Sequence, residues 1–182
     1  MLARKDTRAH LSVYVNGQLS DLPRKSVEPI ALAADVPVRT LQEFLSQHRW
    51  QEDLSRNRLQ QIVAAEHAHP HSVGVIDETS FVKQGKKTPG VQRQYLDTVG
   101  KQENGIVTVH LAYAATPVGT MLLAAFSRWR VEQCFEDDKS EVGLDHYEGR
   151  CYPGLKRHLI LSAISYLFLA RTNQQLRGKN PS

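Results

Sequence analysis

The densest group of residues that could do chemistry lies between Arg128 and Glu148, where carboxylates and cations alternate with apolar side chains. Read as a helix at about 100° per residue, this stretch places Arg128, Glu132 and Lys139 on one face beside apolar neighbours such as Phe135. A carboxylate beside an apolar stripe is partly desolvated, and flanking cations favour its ionised form. Such a helix can hold a negative ligand ready for a metal cation. The alternative is an amphipathic surface helix with incidental salt bridges.

A second carboxylate, Asp77, follows the apolar run from Val73 to Ile76, which is typical of a strand. A carboxylate at the end of a buried strand is held rigidly and can still reach solvent and metal, although Asp77 could simply begin a turn. The segment from Phe81 to Gly90 is predicted to be a basic hairpin loop. The loop contains the lysines Lys83, Lys86 and Lys87. These lysines either contact phosphate or only keep the surface soluble.

Two more strands are predicted after this loop, from Val91 to Val99 and from Gly105 to Tyr113. The polar segment from Gly100 to Gly105 supplies the turn between them. The sequence therefore predicts a three-stranded antiparallel meander.

Residues 6 to 67 favour helices only. A short helix after Ser26, a turn from Ala34 to Pro37 and a third helix with a polar face resemble a helix-turn-helix. The polar residues Arg39, Thr40 and Gln42 point outward and are candidates for contact with bases or phosphates. A helical bundle that only packs is the alternative.

Three alternating histidines, His67, His69 and His71, follow this helical region and indicate a solvated linker or a metal-binding segment. Leu155 to Arg171 is predicted to form a last apolar helix. The basic residues at its start either touch DNA or keep the helix end soluble, and they are Lys156, Arg157 and His158.

The composition of the 182 residues narrows the class of protein. A net charge of +4 and a sequence pI near 9.1 suit a polyanionic partner. The cysteines Cys134 and Cys151 form no C-x-x-C pair, which argues against a disulfide scaffold and a zinc finger and favours a reducing cytoplasm. The N-terminus has no signal-peptide pattern, and the apolar segment from Leu159 to Ala170 is too short to span a bilayer. No membrane association is expected.

The stretch that begins at Arg128 resembles a known sequence signature. RWRVEQCFEDDK is similar to the Y-R-E-K signature of insertion-sequence transposases of the DDE superfamily, in which Arg128, Glu132 and Lys139 match the last three letters. The tyrosine position falls on Ala125. Three other segments resemble the subgroup of DDE superfamily endonucleases, namely EVGLDHYEGR, PRKSVEPIALAADVPVRTLQEFLSQHRW, and DETSFVKQGKKTPGVQRQY continued by GKQENGIVTVHLAYA.

The resemblance implies an RNase H-like core whose carboxylates hold Mg²⁺ (or Mn²⁺) for cleavage and transfer of DNA strands. Asp77 then corresponds to the first catalytic acid and Glu132 to the third, with Arg128 and Lys139 positioning the acid or the phosphate. The implied partners are double-stranded DNA at transposon ends and target sites, and possible self-association or association with a full-length transposase. The implied location is a bacterial-type cytoplasm, with association with the nucleoid when DNA is bound.

One part of the family pattern is missing. About a dozen residues, Ala115 to Phe126, separate the third strand from the glutamate helix, which is too few for a further helix and strand. Asp97, the only aspartate between Asp77 and Glu132, does not match the second catalytic acid. The chain is therefore interpreted as an internally deleted transposase whose join lies near Thr116.

The predicted fold class is α+β, in three parts. Residues 1–70 form a helix-turn-helix-like DNA-binding domain, residues 71–176 a truncated RNase H-like core, and residues 177–182 a disordered tail. The two C-terminal helices are expected to cover the sheet. Three functions remain open: a transposase with residual metal-dependent nuclease activity, a non-enzymatic DNA-binding remnant, and a pseudogene product that folds poorly because its sheet edges are exposed.

Overall fold

The computed structural model describes residues 5–67, 70, 73–114 and 132–179. Their contacts group the chain into two compact units. The first unit joins the residues up to Arg56 with those from Asp138 onward, and the second is Asn57–Asp137. This grouping differs from the boundaries at residues 70 and 176 that the sequence predicts, because the last helix packs with the N-terminal helices.

The described chain has helices at both ends and a sheet between them, so the α+β class predicted from the sequence is confirmed. The order of elements is α1 Lys5–Gln18, α2 Val27–Ala33, α3 Val38–Ser46, α4 Glu52–His67, β1 Val73–Val82, β2 Gln92–Leu96, β3 Lys101–Ala114, α5 over 132–142 and α6 Tyr152–Lys179.

An aromatic and aliphatic core holds the first unit together. On α3, Leu41, Phe44 and Leu45 recur at helical spacing, and all three are buried. Phe44 stacks on Trp50 with ring centroids 5.6 Å apart and planes 4° from parallel. Burial of each large side chain contributes about 1.5–3 kcal/mol to stability, so α3 is fixed by its apolar face and presents its polar face outward.

Buried polar contacts attach α6 to α1. The amide of Gln18 donates from Nε2 to Ser162 Oγ at 2.9 Å and accepts at Oε1 from Ser165 Oγ at 3.0 Å. Tyr14 and His158 form a third bond of this kind, 2.8 Å long. Buried polar atoms need partners, so these bonds fix how α6 packs on α1. The sequence predicts that α6 covers the sheet, whereas the structure shows α6 packed with α1 and α3 in the first unit.

The last helix is also longer than predicted. The sequence places its end at Arg171 and a disordered tail over 177–182, whereas α6 continues to Lys179. The residues from Arg171 to Arg177 are mostly good helix formers with no proline, so nothing in the local sequence ends the helix earlier. No helix among the described residues combines the length and the apolar character that crossing a membrane requires.

The sheet of the second unit is antiparallel with the order β1-β3-β2. The predicted meander is therefore wrong: β1 pairs with β3 and not with β2. Residues 97–100 form the turn between β2 and β3, with Gly100 at φ +64°, and residues 101–105 belong to β3 rather than to the predicted turn. The long β3 then pairs with β2 through its first residues and with β1 through the rest.

Gly105 is the residue at which both neighbouring strands flank β3. It pairs with Val82 of β1 and Gln92 of β2. A Cβ at this position would lie 2.6 Å from the carbonyl oxygen of Phe81 and 2.5 Å from Leu96 Cδ1. Glycine therefore permits the close approach of strands that puts β3 in the centre.

The two faces of the sheet differ in burial. On one face, Thr79, Phe81 and Ile106 are all buried. On the other face, the cross-strand pair Ile76 and Leu111 is 75% and 73% exposed. We call the face with Thr79, Phe81 and Ile106 the packed face, whereas the other face exposes this apolar cross-strand pair, although Ser80 on it is buried.

Candidate functional site

Asp77 lies in the middle of β1 and is partly buried. The sequence predicts a strand that ends before Asp77, but the strand continues for five more residues to Val82. Extended backbone continues because Thr79 and Phe81 alternate inward and pair with Thr108 and Ile106 of β3. The carboxylate of Asp77 accepts a hydrogen bond at Oδ1 from the backbone N–H of Glu78 at 2.9 Å.

The residue opposite Asp77 on β3 is His110. Residues directly opposite in an antiparallel pair project from the same face, so Asp77 and His110 share the packed face of the sheet. Nε2 of His110 lies 2.7 Å from Oγ1 of Thr108, which is two residues away on the same face. This face therefore carries a carboxylate, an imidazole and a hydroxyl close to one another.

The helix that carries Glu132 packs on this same face. The rings of Phe135 and His110 have centroids 5.0 Å apart and an interplanar angle of 60°. Phe135 is buried, whereas Glu132 is exposed on the preceding helical turn. Residues three apart on a helix are neighbours, so Glu132 lies on the side of the sheet that carries Asp77.

The predicted site includes two further residues, Arg128 and Lys139. Arg128 lies outside the described residues. Lys139 is partly buried on α5, in the part of the helix that belongs to the first unit.

No group of three His, Cys, Asp or Glu side chains that could hold a metal ion occurs in the part of the chain that the structure describes. Asp97 lies in the exposed turn after β2. Asp138, on α5, is 9% exposed, and burial raises the pKa of its carboxyl to about 7. Such a carboxyl is largely protonated below neutral pH, which makes it a poor metal ligand.

The predicted DNA-binding residues lie on α3 and on the loop after β1. Four residues join α2 to α3, and Asp35 among them has φ +53°, a left-handed conformation that aspartate tolerates in a tight turn. Arg39 and Gln42 are exposed and Thr40 is partly buried. Arg39 donates from Nε to Glu43 Oε1 at 2.7 Å, one turn later on the helix.

Two hydrogen bonds from Asn104 fix the start of the loop between β1 and β2. The side-chain amide of Asn104 donates to the carbonyl oxygens of Lys83 and Gly85, at 2.6 and 2.8 Å. Lys86 and Lys87 follow as exposed residues, while Lys83 is partly buried. The segment after Val82 is thus a loop with two exposed lysines, but it is not the predicted hairpin loop, because Phe81 and Val82 belong to β1 and β1 pairs with β3 rather than with β2.

The basic residues at the start of α6 have a different role from both sequence-based alternatives. Arg157 is 7% exposed, donates to the carbonyl oxygen of Leu45 at 2.9 Å and lies 5.0 Å over the ring of Trp50. His158 is fully buried. Lys156 pairs with Asp53 at 3.0 Å. The buried Arg157 and His158 therefore hold α6 to the other helices, which neither alternative anticipated, while Lys156 stays partly exposed.

His110 is the residue of this site that sequence reasoning missed. Its position opposite Asp77 follows from the register of β1 and β3, and the register depends on pairing between segments about thirty residues apart. The alternation of polar and apolar residues in β3 was the only local signal available.

Asp77 on the packed face of the sheet and Glu132 on the helix that packs on this face each supply a carboxylate, and carboxylate oxygens are ligands that divalent cations prefer. A family model described as DDE superfamily endonuclease matches residues 1–153. The chain belongs to this family, that of the DDE-type insertion-sequence transposases.

The chain is also similar to a curated relative, the probable transposase for insertion sequence element IS701 of Microchaete diplosiphon. The two are 39% identical over 95 residues, which cover 51% of this chain and 25% of the relative. The match thus spans about a quarter of the relative's length. No solved structure matches the chain significantly.

Proposed function

We propose that this chain is a DDE transposase polypeptide that binds double-stranded DNA and keeps two of the three metal-binding carboxylates of a complete enzyme. The sheet unit and α5 then correspond to a truncated RNase H-like core, and the N-terminal helices to a DNA-binding domain. The observation that carries the proposal is the packing of Phe135 on His110, because it brings the Glu132 helix to the face that bears Asp77.

The donor set of the proposed site fits one magnesium ion. Mg²⁺ prefers oxygen ligands and is commonly held by one or two carboxylates, with water and substrate phosphate completing the octahedron. Asp77 and Glu132 would supply those carboxylates, and Mn²⁺ can replace Mg²⁺ at such a site. When bound, the cation would polarise the scissile phosphate and lower the pKa of a bound water. Arg128 and Lys139 are proposed to position the acid or the phosphate, as the family signature implies.

A complete reaction of this kind uses two cations that stabilise both the attacking and the leaving oxygen. Two carboxylates are a small set for two cations, and no third acid joins them among the described residues. We therefore expect this chain alone to be catalytically incomplete. Self-association or association with a full-length transposase would be the route by which it takes part in transposition.

The first test is nicking of supercoiled plasmid with Mg²⁺ or Mn²⁺. Strand transfer is expected to be undetectable, and any nicking should fall at least about tenfold in Asp77→Ala and in Glu132→Ala, because each removes half of the proposed ligands. Asp97→Ala, which alters an exposed turn aspartate, is the matched control and should nick like the unaltered chain. Strand transfer by the isolated chain, or nicking that survives Asp77→Ala, would show the proposal to be incorrect.

A non-enzymatic DNA-binding remnant is the second candidate function. It is favoured by the short turn between α2 and α3 and by the exposed polar face of α3, whose opposite face is anchored in the core. Lys86 and Lys87 are candidates for additional phosphate contacts from the loop. The proposed location is the cytoplasm, on the nucleoid when DNA is bound.

The second test measures binding to transposon-end DNA over a range of salt concentrations. Arg39→Ala is expected to weaken binding several-fold, and it should reduce the slope of log K against log salt by about one if Arg39 contacts a phosphate. Gln42→Ala should mainly reduce the preference for one DNA sequence over another. The matched control is Arg24→Ala, which removes the same charge from an exposed site that pairs with Glu148. Equal losses in Arg24→Ala and Arg39→Ala would mean that α3 is not the DNA-reading helix.

A further inference from the structure

Two histidines of the first unit lie side by side in the aromatic cluster around Phe44. His10 belongs to α1 and His48 follows the end of α3. Their ring centroids are 5.5 Å apart, with an angle of 55° between the ring planes. Each ring also packs on Phe44, at 6.2 Å for His10 and 6.3 Å for His48. The pair thus joins two segments that are separated by 38 positions in the sequence.

The Nδ1 atoms of both rings share an unusual feature. Each is buried, and neither has a hydrogen-bond partner within the described ranges of the chain. Buried polar atoms are nearly always paired, and an exception points to an ordered water or an ion. Two such exceptions on adjacent imidazoles are most simply explained by one ligand that both rings share.

The distance between the rings fits a shared cation. With a metal–nitrogen bond of about 2.0–2.1 Å, two imidazoles on one tetrahedral ion have ring centroids about 5–6 Å apart. We propose that His10 and His48 form a two-histidine site for a transition-metal cation, Zn²⁺ or Ni²⁺. Imidazole nitrogen suits these ions, whereas Mg²⁺ prefers oxygen, so the site is chemically different from the pair Asp77 and Glu132.

Water completes the coordination at this site, because no third His, Cys, Asp or Glu converges with the pair in the part of the chain that is described. The affinity is therefore moderate and the binding reversible. A cation held by His10 of α1 and by His48, the second residue after α3, binds only when these segments are packed together. Binding consequently stabilises the folded helical unit by an amount that grows with the logarithm of the free cation concentration once this concentration exceeds the Kd.

The test is thermal unfolding of the full chain with Zn²⁺, Ni²⁺ or Mg²⁺, followed by Trp50 fluorescence in a Trp129→Phe background. Zn²⁺ and Ni²⁺ in excess are expected to raise the Tm by several degrees, and Mg²⁺ is not. His10→Asn and His48→Asn should each abolish the shift and weaken Zn²⁺ binding at least about tenfold, since one imidazole remains. The control changes His67, His69 and His71 together to alanine, because those alternating histidines are the rival ligands in the sequence, and it should keep the full shift.

A Tm shift that persists in both single variants, or that disappears in the control variant, would overturn the proposal. If a single variant does not unfold cooperatively, the proposal is tested instead by electron paramagnetic resonance of Cu²⁺ bound to the control variant, which reports how many imidazole nitrogens bind the ion. Coupling to two imidazole nitrogens is expected there, and coupling to one or none would refute the shared site.

Discussion

Replacing His158 with alanine is expected to lower the free energy of unfolding of the helical unit by about 3–5 kcal/mol. His158 is fully buried, and its Nε2 lies 3.1 Å from the carbonyl oxygens of both Gly143 and Leu144. Nε2 must therefore carry the hydrogen, which leaves Nδ1 to accept from the hydroxyl of Tyr14 at 2.8 Å. Burial raises the pKa of Tyr14, so that hydroxyl stays protonated and able to donate. Alanine would leave a cavity, a Tyr14 hydroxyl without its acceptor and a Leu144 carbonyl without the His158 donor, while the Gly143 carbonyl would keep the N–H of His146.

The matched control for this prediction is Lys156→Ala, two residues earlier on the same helix. Lys156 makes partly exposed ion pairs with Glu52 and Asp53, and ion pairs that solvent screens in this way contribute little to stability. Urea unfolding followed by Trp50 fluorescence, in the Trp129→Phe background, reports on the unit that contains both substitutions. Equal midpoints for the two variants would show that the buried histidine network does not hold α6 in place.

Asp138 is expected to make the stability of the chain fall as pH rises. Burial raises the pKa of its carboxyl from the model-peptide value of 3.8 to about 7, so the folded state binds a proton more tightly than the unfolded state does. The stability from this proton is fully present below about pH 4 and is lost as pH rises to about 7. A shift of this size corresponds to roughly 4 kcal/mol between these limits. Oδ1 of Asp138 has no hydrogen-bond partner in the described residues that would compensate for the charge.

Urea midpoints of the chain at pH 5 and pH 8, compared with those of Asp138→Asn, measure this effect. The amide does not ionise, so Asp138→Asn should lose most of the pH dependence and be more stable than the unaltered chain at pH 8. Asp137→Asn, one residue earlier on α5 and less buried, is the control and should keep the pH dependence. A parallel pH profile for Asp138→Asn and the unaltered chain would disprove the assignment.

Elements with local determinants were predicted well from the sequence. The turn between α2 and α3 was predicted from the residues Ala34 to Pro37, and α3 begins directly after Pro37. The order of the strands could not be predicted in this way. It depends on which strand approaches Gly105, and that is a contact between segments far apart in the chain.

The same difference between local and distant determinants applies to the candidate site. Asp77 and Glu132 were proposed as site residues from the strand and helix patterns around them and from the resemblance that those residues carry. The roles of Arg157 and His158 were not predictable, because a basic residue at a helix start faces either solvent or core. The choice is made by Trp50, Leu45 and Tyr14, which lie more than a hundred residues earlier.

The unit that contains both ends of the chain has a consequence for folding during synthesis. Its first three helices are made early, but α6, on which they pack, follows only after the whole sheet unit. At about 5–20 residues per second, the roughly one hundred residues in between delay that packing by about 5–20 seconds. The sheet unit can therefore complete itself on the ribosome while α1 to α3 still expose their apolar faces, and a chaperone that shields those faces would have its greatest effect in that interval.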